Sequence, residues 1–167
     1  ALKRKGLGVE YEAYGLTGGS ARRLNTALDG YARLVDMSEL ISELRLVKSA
    51  EEIVYARKAA ELADKAWDAA VEMAHAGADE GHILAAMQGE IFKGGGDYPG
   101  NEFIIGSGTD ALLCRYFSGR KMLAEIDQLT LEWAGAYRHY HAAMMRTIPI
   151  GQPRSEHIAM HQACVDS

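Results

Sequence analysis

Cysteine is nearly absent: Cys114 and Cys164 are the only two in 167 residues. Two thiols cannot build a disulfide framework, and no Cys-x-x-Cys spacing offers a zinc or redox site, so both are expected as free thiols. Basic charge is not in excess either. Eighteen Lys and Arg against 23 Asp and Glu leave a net charge of -5, which supplies no attractive field for nucleic acid or an anionic membrane surface. Long apolar runs are missing. Nothing approaches the roughly 20 residues that cross a bilayer, and the opening Ala-Leu-Lys-Arg-Lys-Gly lacks the apolar core of a signal peptide. A cytoplasmic protein with neither nucleic-acid nor membrane partners is expected. There is also no internal repeat and no low-complexity tract. What remains is ordinary globular material, 48% hydrophobic and 25% charged, enough for one domain with a real core.

Hydrophobic periodicity divides the chain. Alternation from Gly8 to Leu16 predicts a strand, followed by a helix over 20–31, a brief strand at 33–35 and a helix to about Arg45, capped by Asp36 or Ser38. Ser49 and Glu52 have capping-box spacing. The period through Ile53, Ala56, Ala60, Ala63, Trp67, Ala70 and Ala74 predicts a long helix that stops at Gly77. Asp79 is placed to cap a second helix through Ile83, Met87 and Ile91, ended by Gly94 to Gly96. Strand-like runs follow at 103–105, 112–114, 128–137 and 140–150, and a last amphipathic helix begins near Pro153. The pattern predicts an α/β (α+β) architecture with helices packed on a mainly antiparallel sheet. A closing helix cut in mid-pattern suggests a larger domain.

Few residues stand out chemically. The glycines at 94–96 lie between a helix and a strand and lack a following Gly-Lys-Ser/Thr, so a phosphate loop is rejected in favour of a helix stop. His139 and His141, two apart, point to one face of an extended strand, and Glu132 lies on the preceding strand if Gly135 to Arg138 form a turn. A His-x-His pair can ligate metal but needs a third donor, for which Glu132 is the nearest acid. A hydrogen-bonded polar sheet face is the blander alternative. Arg115 and Arg146 sit among apolar neighbours and need either an internal carboxylate, Glu132 or Glu102, or an anionic substrate group. Trp67 and the helical methionines read as core. The remaining histidines, His75, His82, His157 and His161, read as surface groups.

Two stretches carry a family likeness. Leu44-Arg45-Leu46-Val47-Lys48-Ser49-Ala50-Glu51-Glu52-Ile53, with Arg57-Lys58-Ala59-Ala60, resembles the junction that opens the catalytic domain of creatinase, aminopeptidase P and proline dipeptidase. Gly106-Ser107-Gly108-Thr109-Asp110-Ala111 and the segment from Asp127 to Thr147 are similar to the strand regions lining that family's active site. The resemblance implies that residues 1–46 end an N-terminal domain and that 47–167 form the first half of a pita-bread domain. It implies a dinuclear metal site in which this hairpin supplies two aspartates. Their positions fall on Glu132 and Ala143, and a functional histidine position falls on Arg115. Alanine offers no ligand, and arginine stays protonated.

The hairpin, with Tyr140-His141-Ala142-Ala143, therefore resembles the metal-free creatinase-like or ectoine-hydrolase-like branch more than the peptidases. That likeness implies a hydrolase acting on a C–N bond of a small amidine-like or ectoine-like substrate without a cofactor. Glu132, His141 and His139 are the catalytic candidates, and Arg115, Arg146 and Tyr140 are the substrate-binding ones. The alternatives are an Xaa-Pro peptidase acting on a dipeptide with an unusual Mn or Zn site, and a non-catalytic binding module. By resemblance the partner state is a homodimer.

Overall fold

The computed structural model describes residues 5–112 and 121–167. It divides into two compact units, Ala1–Ser49 and Ala50–Ser167. In the first, β1 (Gly6–Val9) and β2 (Arg33–Asp36) pair in parallel. They are joined through helix α1 (Gly18–Leu28), and α2 (Leu40–Leu46) follows. The strand expected over 8–16 is displaced. Residues beyond Val9 fold into turns, with Ala13 N–H donating to Glu10 and Leu16 N–H to Ala13, so their polar-apolar alternation reflects no strand. Helix α1 starts two residues before the expected Ser20, because the Thr17 hydroxyl caps it by accepting from Ser20 N–H at 3.2 Å. Asp36 caps no helix. Its carboxylate receives the Ser38 N–H at 3.0 Å and hydroxyl at 2.5 Å, and those bonds hold its pKa below the ordinary carboxylate value.

The second unit is a helical layer on a three-stranded antiparallel sheet. Helix α3 runs over Ala50–Met73 and α4 over Glu80–Lys93. The expected cap on α4 is present, since Asp79 Oδ1 accepts from Gly81 N–H at 2.7 Å and His82 N–H at 3.1 Å. The sheet order is β3 (Ile104–Ser107), β4 (Asp127–Tyr137), β5 (Tyr140–Ile150). A 3-10 turn, Gly108–Leu112, follows β3, and α5 spans Ser155–Val165. Leu112, expected in a strand, lies in that turn; the rest of the 112–114 run falls outside the described residues.

Both helices cover one sheet face. The contact stripe of α3 is Ala59, Leu62, Ala63, Ala66 and Ala70, all buried. Alanine lets the backbone approach closely, and Gly135 completes the fit: a Cβ there would lie 1.9 Å from the Ala59 carbonyl oxygen. Trp133 crosses the same contact. Its indole N–H donates to the Ala63 carbonyl at 3.0 Å, and its ring stacks on Trp67 with centroids 5.8 Å apart and planes 7° apart. Ile83, Met87, Ile91, Ile105, Leu129 and Leu131 fill the remaining core.

The β4–β5 turn differs from expectation. Strand β4 continues through Gly135 to Tyr137, which pairs with Tyr140. The turn is therefore Arg138-His139, both with positive φ, 52° and 67°. Two such residues make the hairpin turn whose twist matches the strands. The left-handed region costs non-glycine residues about 1–2 kcal/mol each, and Asp97 offsets part of this by accepting the His139 N–H at 3.1 Å.

Candidate active site

Strand parity sorts the candidates. Leu129, Leu131 and Trp133 are buried toward the helices, so Thr130, Glu132 and Ala134 point outward from the other face. Register carries the division to β5, because Thr130 faces Thr147, Glu132 faces Met145, Ala134 faces Ala143 and Ala136 faces His141. Glu132 and Ala143 therefore share the outward face. So does His141, as expected. His139 does not share the strand, since it lies in the turn. The expected His-x-His pair is thus not a pair of strand residues on one face.

Glu132 is half-buried and borders a small cleft lined by Ile104, Gly106, Asp110, Ala111, Thr130 and Met145. The cleft's space of about 10 Å³ is roughly the room that one water molecule needs. Among the described residues Glu132 has no hydrogen-bond or ion-pair partner. Its cleft wall is held by Asp127, whose Oδ1 accepts from Gly108 N–H at 2.8 Å and from Gln128 N–H at 2.8 Å, while Oδ2 accepts from Ala124 N–H at 3.0 Å. Gly106 has no side chain because a Cβ would sit 2.8 Å from the Asp110 carbonyl oxygen. Asp110 is ion-paired with Lys121. That bond, assisted by the charges of Asp110, Glu80 and Asp127, raises the Lys121 pKa above its ordinary value. Sequence reasoning missed Asp110, Lys121 and Asp127 as a group. Asp110 lies inside the Gly-Ser-Gly segment already singled out, but no spacing rule ties it to Lys121.

The other candidates lie elsewhere. Tyr140 pairs with Tyr137 and turns toward α3, where its hydroxyl donates to Glu52 Oε1 at 2.7 Å and its ring meets Tyr55 with centroids 5.7 Å apart. Arg146 faces Leu131, on the opposite side from Glu132, and donates to the Met145 carbonyl at 2.8 Å. It makes no ion pair with Glu132 or Glu102. Arg115 and Cys114 fall outside the described residues. Both ring nitrogens of His141 are engaged: Nε2 accepts from Gly100 N–H at 2.9 Å, and Nδ1 lies 2.9 Å from the His139 carbonyl oxygen.

On this hairpin the described residues supply one of the two carboxylates that the family resemblance expects for a pair of metal ions. The hairpin offers the Glu132 carboxylate and, at the second expected position, the methyl group of Ala143. Among the described residues no three His, Cys, Asp or Glu side chains converge as a metal site. Chemically, the described residues place the Glu132 carboxylate beside a water-sized cleft that Asp110, Ile104 and Met145 also line.

Comparison with known proteins gives a consistent family. Residues 55–167 match the model of metallopeptidase family M24. The chain is 28% identical over 131 residues to an Xaa-Pro dipeptidase of Pyrococcus furiosus, covering 78% of this chain and 38% of that protein. It is 27% identical over 147 residues to an ectoine hydrolase of Halomonas elongata, covering 81% and 36%. The structure superposes on the X-Pro aminopeptidase of Thermotoga maritima with a TM-score of 0.84 at 23% identity, covering 97% of this chain and 45% of that one; that likeness carries the fold. The chain spans less than half the length of each.

Proposed function

The chain belongs to metallopeptidase family M24, and from that membership we propose that this protein hydrolyses a C–N bond in a small substrate at the outward face of β4–β5, without the paired metal ions of the family. The observation that carries the proposal is the register placing Glu132 and Ala143 on that one face. The second carboxylate that the family resemblance expects is a methyl group here, while the remaining carboxylate stays half-buried beside a water-sized cleft. Glu132 takes a proton from that water as its oxygen attacks the substrate carbon. It then returns the proton to the leaving nitrogen as the C–N bond breaks. The alanines at 134 and 143 leave room for a compact, amidine-like or ectoine-like ring. Arg115 is proposed to hold an anionic substrate group, on the strength of its position after the Gly-Ser-Gly segment. Cytoplasmic residence and a homodimer belong to the same proposal and rest on the family resemblance.

A second reading has support in the Xaa-Pro dipeptidase relative: a peptidase with one Mn or Zn ion held by Glu132 and ligands from elsewhere. One experiment separates them. The full chain, purified without chelator, is assayed on ectoine-like rings, amidines, ureides and Xaa-Pro dipeptides, with and without added Mn. Glu132→Gln is expected to lower turnover by about 10²–10⁴-fold, the size of a lost acid-base group, with less than about a tenth of an equivalent of metal bound by the parent protein. Dipeptide turnover that requires added metal selects the peptidase instead.

A further inference from the structure

We propose that His141 is a positioning residue, a neutral imidazole that pins the loop at Gly100 across the hairpin-tip end of the Glu132 face. The bonding fixes its protonation state. A backbone N–H can only donate, so Nε2, 2.9 Å from Gly100 nitrogen, must carry the lone pair. A carbonyl oxygen can only accept, so Nδ1, 2.9 Å from the His139 oxygen, must carry the hydrogen. Both bonds are satisfied together by one tautomer of the neutral ring.

The loop these bonds hold lies against the end of the site. Ala136 has outward parity, yet it is fully buried, unlike exposed Ala143 in the neighbouring row. The segment against it is 96–100: Asp97 N–H donates to the Ala136 carbonyl at 2.9 Å, and a Cβ on Gly96 would lie 2.8 Å from that same oxygen. Asp97 then reaches the turn through His139 N–H. Two side chains thus fasten the two strands, Asp97 from the loop to the hairpin and His141 from the hairpin to the loop. The loop becomes an end wall four residues, about 13 Å, along β4 from Glu132. Between them lies the alanine row, Ala134 and Ala143.

The consequence for the site rests on the function proposed above: the wall limits the length of substrate that lies along the alanine row with its C–N bond at Glu132. His141 acts through Gly100, not on the reacting atoms. Its Nε2 lone pair, the site a general base would use, already receives the Gly100 hydrogen.

The test uses the full chain labelled with ¹⁵N. In the parent protein at pH 8, His141 is expected to show the Nδ1-protonated tautomer, and Gly100 amide exchange is expected to be slowed. His141→Phe should speed Gly100 exchange by about tenfold, the loss of one net hydrogen bond, whereas His141→Gln, whose amide oxygen can accept, should restore part of the protection. With any substrate the parent turns over, His141→Phe should raise KM more than it lowers kcat. An Nε2-protonated ring in the parent protein overturns the proposal, as does Gly100 exchange unchanged in His141→Phe. A fall in kcat with Gly100 protection retained would do the same and make His141 a proton carrier. Absence of turnover in the parent protein defeats the proposed function alone, because the tautomer and exchange results still decide the latch.

Discussion

At the scale of single residues, the main determinants are bonds made by the backbone rather than by the side chains that attracted notice. His139 is the clearest case. Its N–H goes to Asp97 and its carbonyl receives His141, while its imidazole makes no hydrogen bond among the described residues. Glycine keeps both backbone bonds and removes the left-handed penalty at φ 67°. His139→Gly is therefore expected to stabilise the protein by about 1 kcal/mol, read as a higher Tm, with turnover retained; lost turnover would reinstate the imidazole as catalytic. Lys121 supplies the pH dependence. Its folded pKa is raised by the Asp110 bond. The pair therefore contributes fully below the unfolded lysine value of about 10.5 and is lost as pH rises through the higher folded value. Lys121→Met should flatten that alkaline limb of the stability curve and change stability near pH 7 little, as expected of a partly exposed pair.

At the scale of elements, the decisive contact is α3 on β4. The apolar period of α3 was legible in the sequence, since alanines at helical spacing announce a close-packed face. That β4 meets this face at Gly135 was not. Glycine near a strand end reads equally well as a turn residue, and the expected turn at 135–138 followed from that. Only the packing distinguishes the two, because a Cβ at 135 would enter the α3 backbone at Ala59. Gly135→Ala is expected to cost about 3 kcal/mol, since a helix backbone cannot yield as a side chain can. Chemical denaturation should show the midpoint moving down with its slope unchanged. An unaltered midpoint would mean that the helix shifts freely. Moving the turn to Arg138-His139 lengthens β4 and separates the two histidines that spacing alone had placed on one strand.

At the scale of the whole molecule, the second unit is a helical layer and an antiparallel sheet whose outward face carries the proposed site. The first unit is a separate compact body. The methyl group at position 143 is open to direct reversal. Ala143→Asp points a carboxylate outward beside Glu132's row, and Mn binding by calorimetry is expected to tighten at least about tenfold over the parent, as one added charged ligand supplies more than about 1.4 kcal/mol. Unchanged binding would show that the face is shaped against metal by more than this one position.

Composition, periodicity and the motif at 44–60 determined the helices, the antiparallel hairpin and the family, because these depend on local patterns that repeat at fixed spacing. The family resemblance also marked Glu132 and Ala143 as the two expected ligand positions. Tertiary structure alone decided which of the candidate residues lie together. It turned Tyr140 toward α3 and Arg146 away from Glu132. It tied His141 to Gly100, 41 residues distant, set Asp110 at the cleft and bound Asp127 to Gly108. Those outcomes depend on register and on backbone donors, which carry no letter in the sequence: one residue's shift in the turn changes every partner beyond it.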